Sequence, residues 1–283
     1  MLNRSKSVIF MLISALAFAF MAANVRLAGN IPLFEKVFFR NLVSLIVAFF
    51  MIRKGKDKII EKKENLKYLL LRSFLGLLGV VLYFYAINNL YLADSSMLNK
   101  LSPFFVTFFA WLFLKEKLSR FQIAALIIVF CSALLIIKPK LELSVLPAFA
   151  GFLSAMFAGA AYTLVRFLGN REKPATIVFF FSLVSVIVMF PLMMMKFKIP
   201  TFIQLIFLSG TGIFAAIGQF GLTLAYKYAK ASEVAIYNYT NIIFSAIIGY
   251  FLWKEISDIW SIIGGMILIS ASAGIFVYNK NKK

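Results

Sequence analysis

The chain has 283 residues, of which 62% are hydrophobic and 17% aromatic, and it carries a net charge of +19. Soluble chains are typically about half apolar, so this composition excludes an ordinary soluble domain and indicates a membrane protein. The basic residues lie in short loops between apolar stretches, where Lys and Arg orient membrane proteins. We therefore predict no nucleic-acid partner.

The sequence contains no histidine and a single cysteine, Cys131. This removes the commonest metal ligand and any internal disulfide. No nucleotide-binding loop, hydrolytic triad or cofactor fingerprint is found in the sequence. We therefore expect no enzyme, no bound metal and no cofactor, and we expect that ATP does not drive transport within this chain.

Ten apolar stretches follow one another along the chain, each close to the roughly 20 residues that one membrane-crossing helix needs. Helices are predicted rather than barrel strands, because the stretches lack two-residue alternation and a backbone in lipid must satisfy its own hydrogen bonds. The predicted spans are residues 8–28, 34–52, 68–89, 92–114, 121–137, 144–168, 175–195, 202–226, 234–253 and 259–278.

The Lys and Arg residues predict the orientation. With the N-terminus in the cytoplasm, most of them fall on the cytoplasmic side, including Arg72 close after the basic loop that ends at Lys67. Loops rich in Lys and Arg remain in the cytoplasm. We therefore predict a multi-pass protein of the cell membrane with N- and C-termini cytoplasmic, and with Arg26 as an anchor at the outer interface.

One pattern occurs twice: an acidic residue, an apolar span and a Lys-Glu pair. Asp94 and Glu116 in the first copy correspond to Glu233 and Glu255 in the second, at an offset of 139 positions. Such self-similarity indicates an internal duplication. Each half, residues 1–141 and 142–283, holds five predicted spans, and an odd number inverts the second half in the membrane. The predicted fold is an all-α membrane protein, with ten transmembrane helices as two inverted five-helix repeats around a central cavity.

Polar residues inside the spans are the candidates for a substrate site, because a polar side chain in lipid costs free energy unless it faces the bundle interior. At the same offset, Asn99 corresponds to Asn238 and Ser102 to Asn241, which predicts a cavity lined from two related sides. The alternative is that these groups only bond neighbouring helices to each other. The substrate-binding candidates are Arg40, Tyr83, Asn99, Lys100, Ser102, Tyr162, Gln219, Tyr226, Tyr237, Asn238 and Asn241.

Arg40 and Lys100 are the charged candidates, and we predict that they hold a carboxylate of the substrate. An ion pair with a nearby acid, or snorkelling to the outer headgroups, is the alternative for each.

The acidic residues at the span ends have a structural interpretation. Asp94 and Glu233 are expected to cap their spans, with proton coupling as the alternative. Glu116 and Glu255 are expected to lock the loops rather than to bind substrate.

Several short motifs carry a family resemblance that covers essentially the whole chain. They are Phe34-Glu-Lys-Val-Phe-Phe-Arg40, Phe84-Tyr-Ala86, Ala93-Asp94, Ser102-Pro103 and the two Lys-Glu segments, 114–119 and 253–257. With these motifs in this order, the chain resembles the drug/metabolite transporter superfamily and, within it, the ten-span bacterial EamA family. The resemblance implies a transporter, and the stretch from Glu35 to Arg40 is most similar to members that carry S-adenosylmethionine-like or amino-acid-derived metabolites, exporters included.

The predicted function is secondary transport, as an exporter or exchanger, of small amino-acid-like or related organic metabolites across the cell membrane by alternating access. The expected partners are a small-molecule substrate and membrane lipid, and the chain is expected to act as a monomer or homodimer. The alternative is a lipid-directed membrane protein, flippase-like or acting on headgroups. One shared, enclosed cavity around Arg40, Asn99, Lys100 and Asn238 favours the carrier, and a groove open to lipid favours the alternative.

Overall fold

The computed structural model describes residues 2–55, 59–114, 119–137, 145–169, 171–228 and 235–281, and every regular element in this part of the chain is helical. Two short 3₁₀ helices, Lys63–Asn65 and Ala235–Tyr239, accompany the α-helices. The α-helices, numbered in chain order, are α1 (Leu2–Leu27), α2 (Leu33–Lys54), α3 (Leu66–Asn89), α4 (Leu92–Asn99), α5 (Ser102–Leu114), α6 (Arg120–Ile137), α7 (Leu146–Leu168), α8 (Pro174–Met194), α9 (Phe202–Tyr228), α10 (Thr240–Trp253) and α11 (Ile259–Asn281).

These helices follow the predicted spans closely, except that the fourth and ninth spans are not continuous α-helices. The fourth is divided at Lys100 and Leu101 into α4 and α5, and the described part of the ninth begins as a 3₁₀ helix and continues as α10. Pro103 explains the first break, because it has no N–H to donate to the carbonyl of Asn99 four residues earlier. The two breaks correspond, since the offset of 139 places Lys100 on Tyr239, the last residue of the 3₁₀ helix.

The surface of the bundle is apolar. Six of the described helices, α1, α3, α6, α7, α8 and α9, are long and apolar enough to cross a membrane, judged by length and composition. Large side chains such as Phe50, Ile127 and Phe251 point outward with 65%, 61% and 70% of their surface exposed. Contiguous apolar surface of this kind is unfavourable in water and favourable against lipid, as expected of a multi-pass membrane protein.

Helix pairs join the two halves of the chain: α1 packs along α9, α3 along α7, α2 along α8 and α6 along α11. Glycines allow two of these pairs to approach closely. A Cβ added at Gly79 would lie 3.2 Å from the backbone of Ser154 and Ala158 in α7, and one added at Gly221 would lie 2.9 Å from the carbonyl oxygen of Phe10 in α1. Small residues are typical of such membrane-helix contacts.

Glu255 fastens one end of the bundle. Its carboxylate forms an ion pair with Arg26 at the end of α1 and accepts a hydrogen bond of 2.9 Å from the backbone N–H of Leu92 at the start of α4. The Arg26 guanidinium also lies 4.8 Å from the ring centroid of Trp253. The locking role predicted for Glu255 is therefore confirmed, and Arg26 is an ion-pair partner within the protein rather than only an interface anchor.

Two further carboxylates tie loops of one half to the other. Glu172 accepts hydrogen bonds from the Nδ2 atom of Asn65 at 2.7 Å and from the backbone N–H of Glu61 at 3.0 Å. Glu35 accepts one from the backbone N–H of Lys198 at 3.2 Å. Each contact closes a loop of one half over the other half.

The remaining acidic predictions are met only in part by the described residues. The carboxylate of Asp94 accepts a hydrogen bond of 2.6 Å from the Ser257 hydroxyl, so Asp94 bonds the loop after α10 from the first turn of α4. Glu116 and Glu233, for which a lock and a cap are predicted, lie outside the described residues.

Candidate functional site

A cavity lies at the centre of the bundle, where α1, α2, α3, α7, α8 and α9 meet the two helix breaks before α5 and α10. About 720 Å³ between its walls is not filled by atoms, with space open to the outside included. The lining residues are Phe18, Met21, Arg40, Arg72, Gly76, Gly79, Val80, Tyr83, Phe84, Asn99, Lys100, Ser102, Ala158, Ala161, Tyr162, Phe181, Gln219, Leu222, Asn238 and Asn241.

Most of the predicted substrate-binding residues line this one cavity, from both halves of the chain: Arg40, Tyr83, Asn99, Lys100, Ser102, Tyr162, Gln219, Asn238 and Asn241. Tyr237 is not among the lining residues, and it packs against the apolar cluster of Met11, Leu222 and Ala225. The side chain of Tyr226 lies outside the described part of the chain.

Arg72 is a lining residue that the sequence reasoning misplaced. It was predicted among the cytoplasmic basic residues, yet α3 begins at Leu66, so Arg72 lies in the second turn of the helix with only 2% of its surface exposed. The signal that could have found it is its sequence context, since Leu69-Leu-Leu precede it and Ser73-Phe-Leu follow it. A charge inside an apolar run indicates a functional site by default.

The two arginines of the cavity share one aromatic ring. The guanidinium carbon of Arg72 lies 4.0 Å, and that of Arg40 5.4 Å, from the ring centroid of Phe181 in α8. Aromatic faces attract cations in this geometry. The phenol of Tyr162 is close enough to both guanidinium groups to interact with them electrostatically. Arg40 donates from Nη1 to the Asn41 side chain at 2.8 Å, and the described residues offer no hydrogen-bond acceptor to Nε of Arg40 or to Nε and Nη1 of Arg72.

A third cation, Lys100, lies at the break between α4 and α5 with 5% of its surface exposed. Its ammonium donates to Oδ1 of Asn238 at 3.1 Å and lies 5.9 Å from the ring centroid of Phe18. Asn238 is in the 3₁₀ helix before α10. This hydrogen bond therefore joins the two helix breaks. Interrupted helices leave polar groups available at the centre of a bundle.

Amide side chains complete the polar wall. Asn241 donates from Nδ2 to the carbonyl oxygen of Ala15 in α1 at 2.8 Å, while its Oδ1 has no donor within the described residues. Nε2 of Gln219 is likewise buried there without an acceptor. Asn99 contacts the hydroxyl of Ser154 at 3.5 Å. Both predicted roles apply to Asn241, which links two helices and also faces the cavity.

The cavity is positively charged. Arg40, Arg72 and Lys100 are each at least 95% buried, and none of the described lining residues is acidic. The alternative role of Arg40 or Lys100, an ion pair with a nearby acid, is not seen among the described residues. Isolated buried cations are unfavourable, so this arrangement is suited to an anionic guest.

An apolar helical bundle around a positively charged central cavity is typical of a membrane carrier. The profile of the EamA-like transporter family matches residues 5–138 and 145–277. The chain belongs to this family, as its motifs indicate, and it is a multi-pass membrane transporter.

Named relatives agree with this class. The chain is 35% identical over 267 residues to the pseudopaline exporter CntI of Pseudomonas aeruginosa, with 93% of each chain covered. It is 25% identical to the S-adenosylmethionine uptake transporter of Rickettsia bellii, covering 88% of this chain and 85% of the relative. It is 24% identical to solute carrier family 35 member G1 of Homo sapiens, covering 94% and 77%.

A solved structure supports the fold. It has a TM-score of 0.73 to this chain at 12% identity, with 99% of both chains covered. At this level of identity the likeness concerns the fold alone.

Proposed function

We propose that the chain is a secondary transporter that exports or exchanges small amino-acid-like or related organic metabolites across the cell membrane by alternating access. The observation that carries the proposal is a shared central cavity, lined by Arg40 and Lys100 of one half and by Asn238 and Asn241 of the other. Its relatives include an exporter and an uptake transporter.

The proposed architecture is ten membrane spans in two inverted repeats, residues 1–141 and 142–283. The helix pairs support it, because a shift of five spans exchanges the α1–α9 pair with the α7–α3 pair and maps the α2–α8 and α6–α11 pairs onto themselves. The interrupted fourth and ninth spans exchange in the same way. Inverted repeats of this kind expose one central site to each side of the membrane in turn.

The loop contacts support a state closed at both ends. With both termini cytoplasmic, Glu255 with Arg26 and Leu92 closes the outer end, and so does Glu35 with Lys198. The contacts of Glu172 with Asn65 and with the backbone of Glu61 close the inner end. Breaking one group of contacts and then the other would alternate access to the cavity.

Transport is tested with purified protein in proteoliposomes loaded with one unlabelled metabolite and exposed to the same metabolite in radiolabelled form. The panel contains amino acids, dicarboxylates, nucleosides and S-adenosylmethionine. Saturable accumulation of any compound above protein-free liposomes supports the proposal, and no accumulation across the panel contradicts it. Fluorescent phospholipid in the same vesicles tests the lipid-directed alternative, which predicts lipid movement without metabolite movement.

A further inference from the structure

We propose that the substrate is a net anion with at least two separate acidic groups, one held by Arg40 and Arg72 beside Phe181 and the other by Lys100. This inference rests on the proposed transport function and names the substrate class of the same cavity. It narrows the amino-acid-like or related metabolites of that function to those with more acidic than basic groups, and it disfavours a neutral zwitterion, which carries an ammonium for every carboxylate.

Unpaired donors define the first anion subsite. Nε of Arg40 and Nε and Nη1 of Arg72 are buried without an acceptor in the described part of the chain, as is Nε2 of Gln219. All four atoms are N–H donors, and buried donors require acceptors. The guanidinium fork matches the two oxygens of a carboxylate or phosphate. Acidic oxygens of a substrate in the cavity would supply acceptors for the arginine donors.

Repulsion points to the same conclusion. The guanidinium carbons of Arg40 and Arg72 lie 5.4 Å and 4.0 Å from the centroid of the same Phe181 ring, and two like charges held against one ring repel each other. The ring of Phe181 and the phenol of Tyr162, which the two groups share, are neutral neighbours. None of the described lining residues is acidic, so the negative charge that would neutralise this repulsion must come from a bound group.

The second anion subsite is at Lys100, on a different wall. Lys100 sits at the α4–α5 break against Asn238 and Phe18, whereas Arg40 and Arg72 lie on α2 and α3 against α8. An ammonium has three donors, and Asn238 accepts one of them. A single carboxylate at the arginines would leave this buried charge without an anion, so a second acidic group on the substrate complements it.

The cavity is poorly suited to a substrate cation. Among the described lining atoms, the unpaired buried acceptor is Oδ1 of Asn241, and it is neutral. An ammonium on the substrate would have neutral oxygens as partners, those of Asn241, Asn99, Ser102 and the tyrosines, while three protein cations repelled it. The geometry therefore selects acidic groups in excess of basic ones, and carboxylates and phosphates share this chemistry.

The test compares probes that differ in one acidic group. Thermal unfolding of the detergent-solubilised protein is followed with succinate, its monoamide succinamate, tricarballylate, glycerol 3-phosphate and glutamine. A ligand that binds the folded state raises its unfolding temperature. We expect succinate and tricarballylate to half-saturate the shift at concentrations about ten- to a hundredfold lower than succinamate, as for one charged hydrogen bond. A larger shift with glycerol 3-phosphate, whose acidic oxygens all belong to one group, than with succinate would contradict the need for two separate acidic groups.

Three variants locate the effect. Arg72→Gln should abolish the preference for every anion, and Lys100→Gln should remove only the advantage of succinate over succinamate. Lys36→Gln is the matched control, because Lys36 is a 1%-exposed cation that bonds Asn88 and does not line the cavity. If Arg72→Gln fails to fold, Arg72→Lys takes its place in the test. It keeps the charge but loses the fork of donors, so it should bind the anionic probes with intermediate strength.

The outcomes separate this inference from the transport function. Accumulation of a neutral or zwitterionic metabolite in proteoliposomes, unaffected by Arg72→Gln and Lys100→Gln, would overturn the anion proposal and leave transport intact. The same holds if glutamine shifts unfolding as much as succinate, or if no anionic probe binds selectively. Equal losses from Lys36→Gln and Arg72→Gln would show a general stability effect and would also overturn it.

Discussion

At the scale of single residues, the contact between Lys100 and Asn238 joins the two helix breaks and is open to a direct test. Replacing Asn238 by Leu removes the acceptor of a buried ammonium, and a hydrogen bond to a charged group contributes about 1.5–3 kcal/mol. We expect Asn238→Leu to lower the free energy of unfolding by this order. Thermal or denaturant unfolding of the purified protein measures the change.

A double-mutant cycle with Lys100→Met separates this bond from other effects of the substitution. With both partners apolar, no charge is left buried and unpaired, so the double variant should be more stable than the sum of the two single losses indicates. Strict additivity would contradict a direct Lys100–Asn238 interaction.

Cavity residues could be predicted from the sequence where a polar side chain lies within an otherwise apolar span. Arg40, Lys100, Asn99, Asn238 and Asn241 were found in this way, because each would be unfavourable in lipid. Arg72 was missed because it was counted with the basic loop just before it, although the predicted span 68–89 already contained it. Phe18 and Phe181 were missed for a different reason: with 33 phenylalanines in the chain, composition cannot indicate which rings face a cavity.

At the scale of elements, hydropathy predicted where the spans lie but not where they are interrupted. Residues 92–114 are apolar enough to be taken as one helix, yet α4 ends at Asn99 and α5 begins at Ser102. Pro103 was the available signal for this break. The corresponding region of the ninth span contains no proline, so its 3₁₀ segment, Ala235–Tyr239, has no local sequence cause and depends on tertiary contacts such as Lys100–Asn238.

We predict that Pro103→Ala lowers the transport rate. Alanine restores an N–H that can donate to the carbonyl of Asn99, and a continuous helix would move Lys100 from its place opposite Asn238. Pro191 provides the control, because it also lies inside a helix, α8, but is exposed and away from the cavity. Initial rates in proteoliposomes should fall for Pro103→Ala and not for Pro191→Ala, and equal rates would contradict a role for the break.

At the scale of the whole molecule, the Glu255 contacts should control access from outside. Glu255→Gln weakens the ion pair with Arg26, and we expect the cavity to open outward more often. In a Cys131→Ser background, a cysteine replacing the lining residue Ala161 should then react several times faster with an external maleimide.

Glu61→Gln is the control, because Glu61 pairs with Lys173 at 3.9 Å on the surface. Exposed pairs of this kind contribute little to stability, about 0–1 kcal/mol. Unchanged labelling in Glu255→Gln would exclude this gating role.

Orientation tests the largest claim, that the second half is inverted relative to the first. Asn30 follows the first helix of one half, and Arg171 follows the first helix of the other, and both side chains are exposed. Inversion places these equivalent loops on opposite faces of the membrane, whereas a parallel repeat places them on the same face.

In a Cys131→Ser background, an impermeant maleimide added to intact cells should label Asn30→Cys, and should label Arg171→Cys only after permeabilisation. Two controls mark the faces of the membrane. Lys198→Cys should label as an outer site, because Lys198 contacts Glu35 at the outer end of the proposed bundle. Lys62→Cys should label as an inner site, because residues 61–65 contact Glu172 at the opposite end. Labelling of Asn30→Cys and Arg171→Cys from the same side would remove the basis for alternating access by two inverted halves.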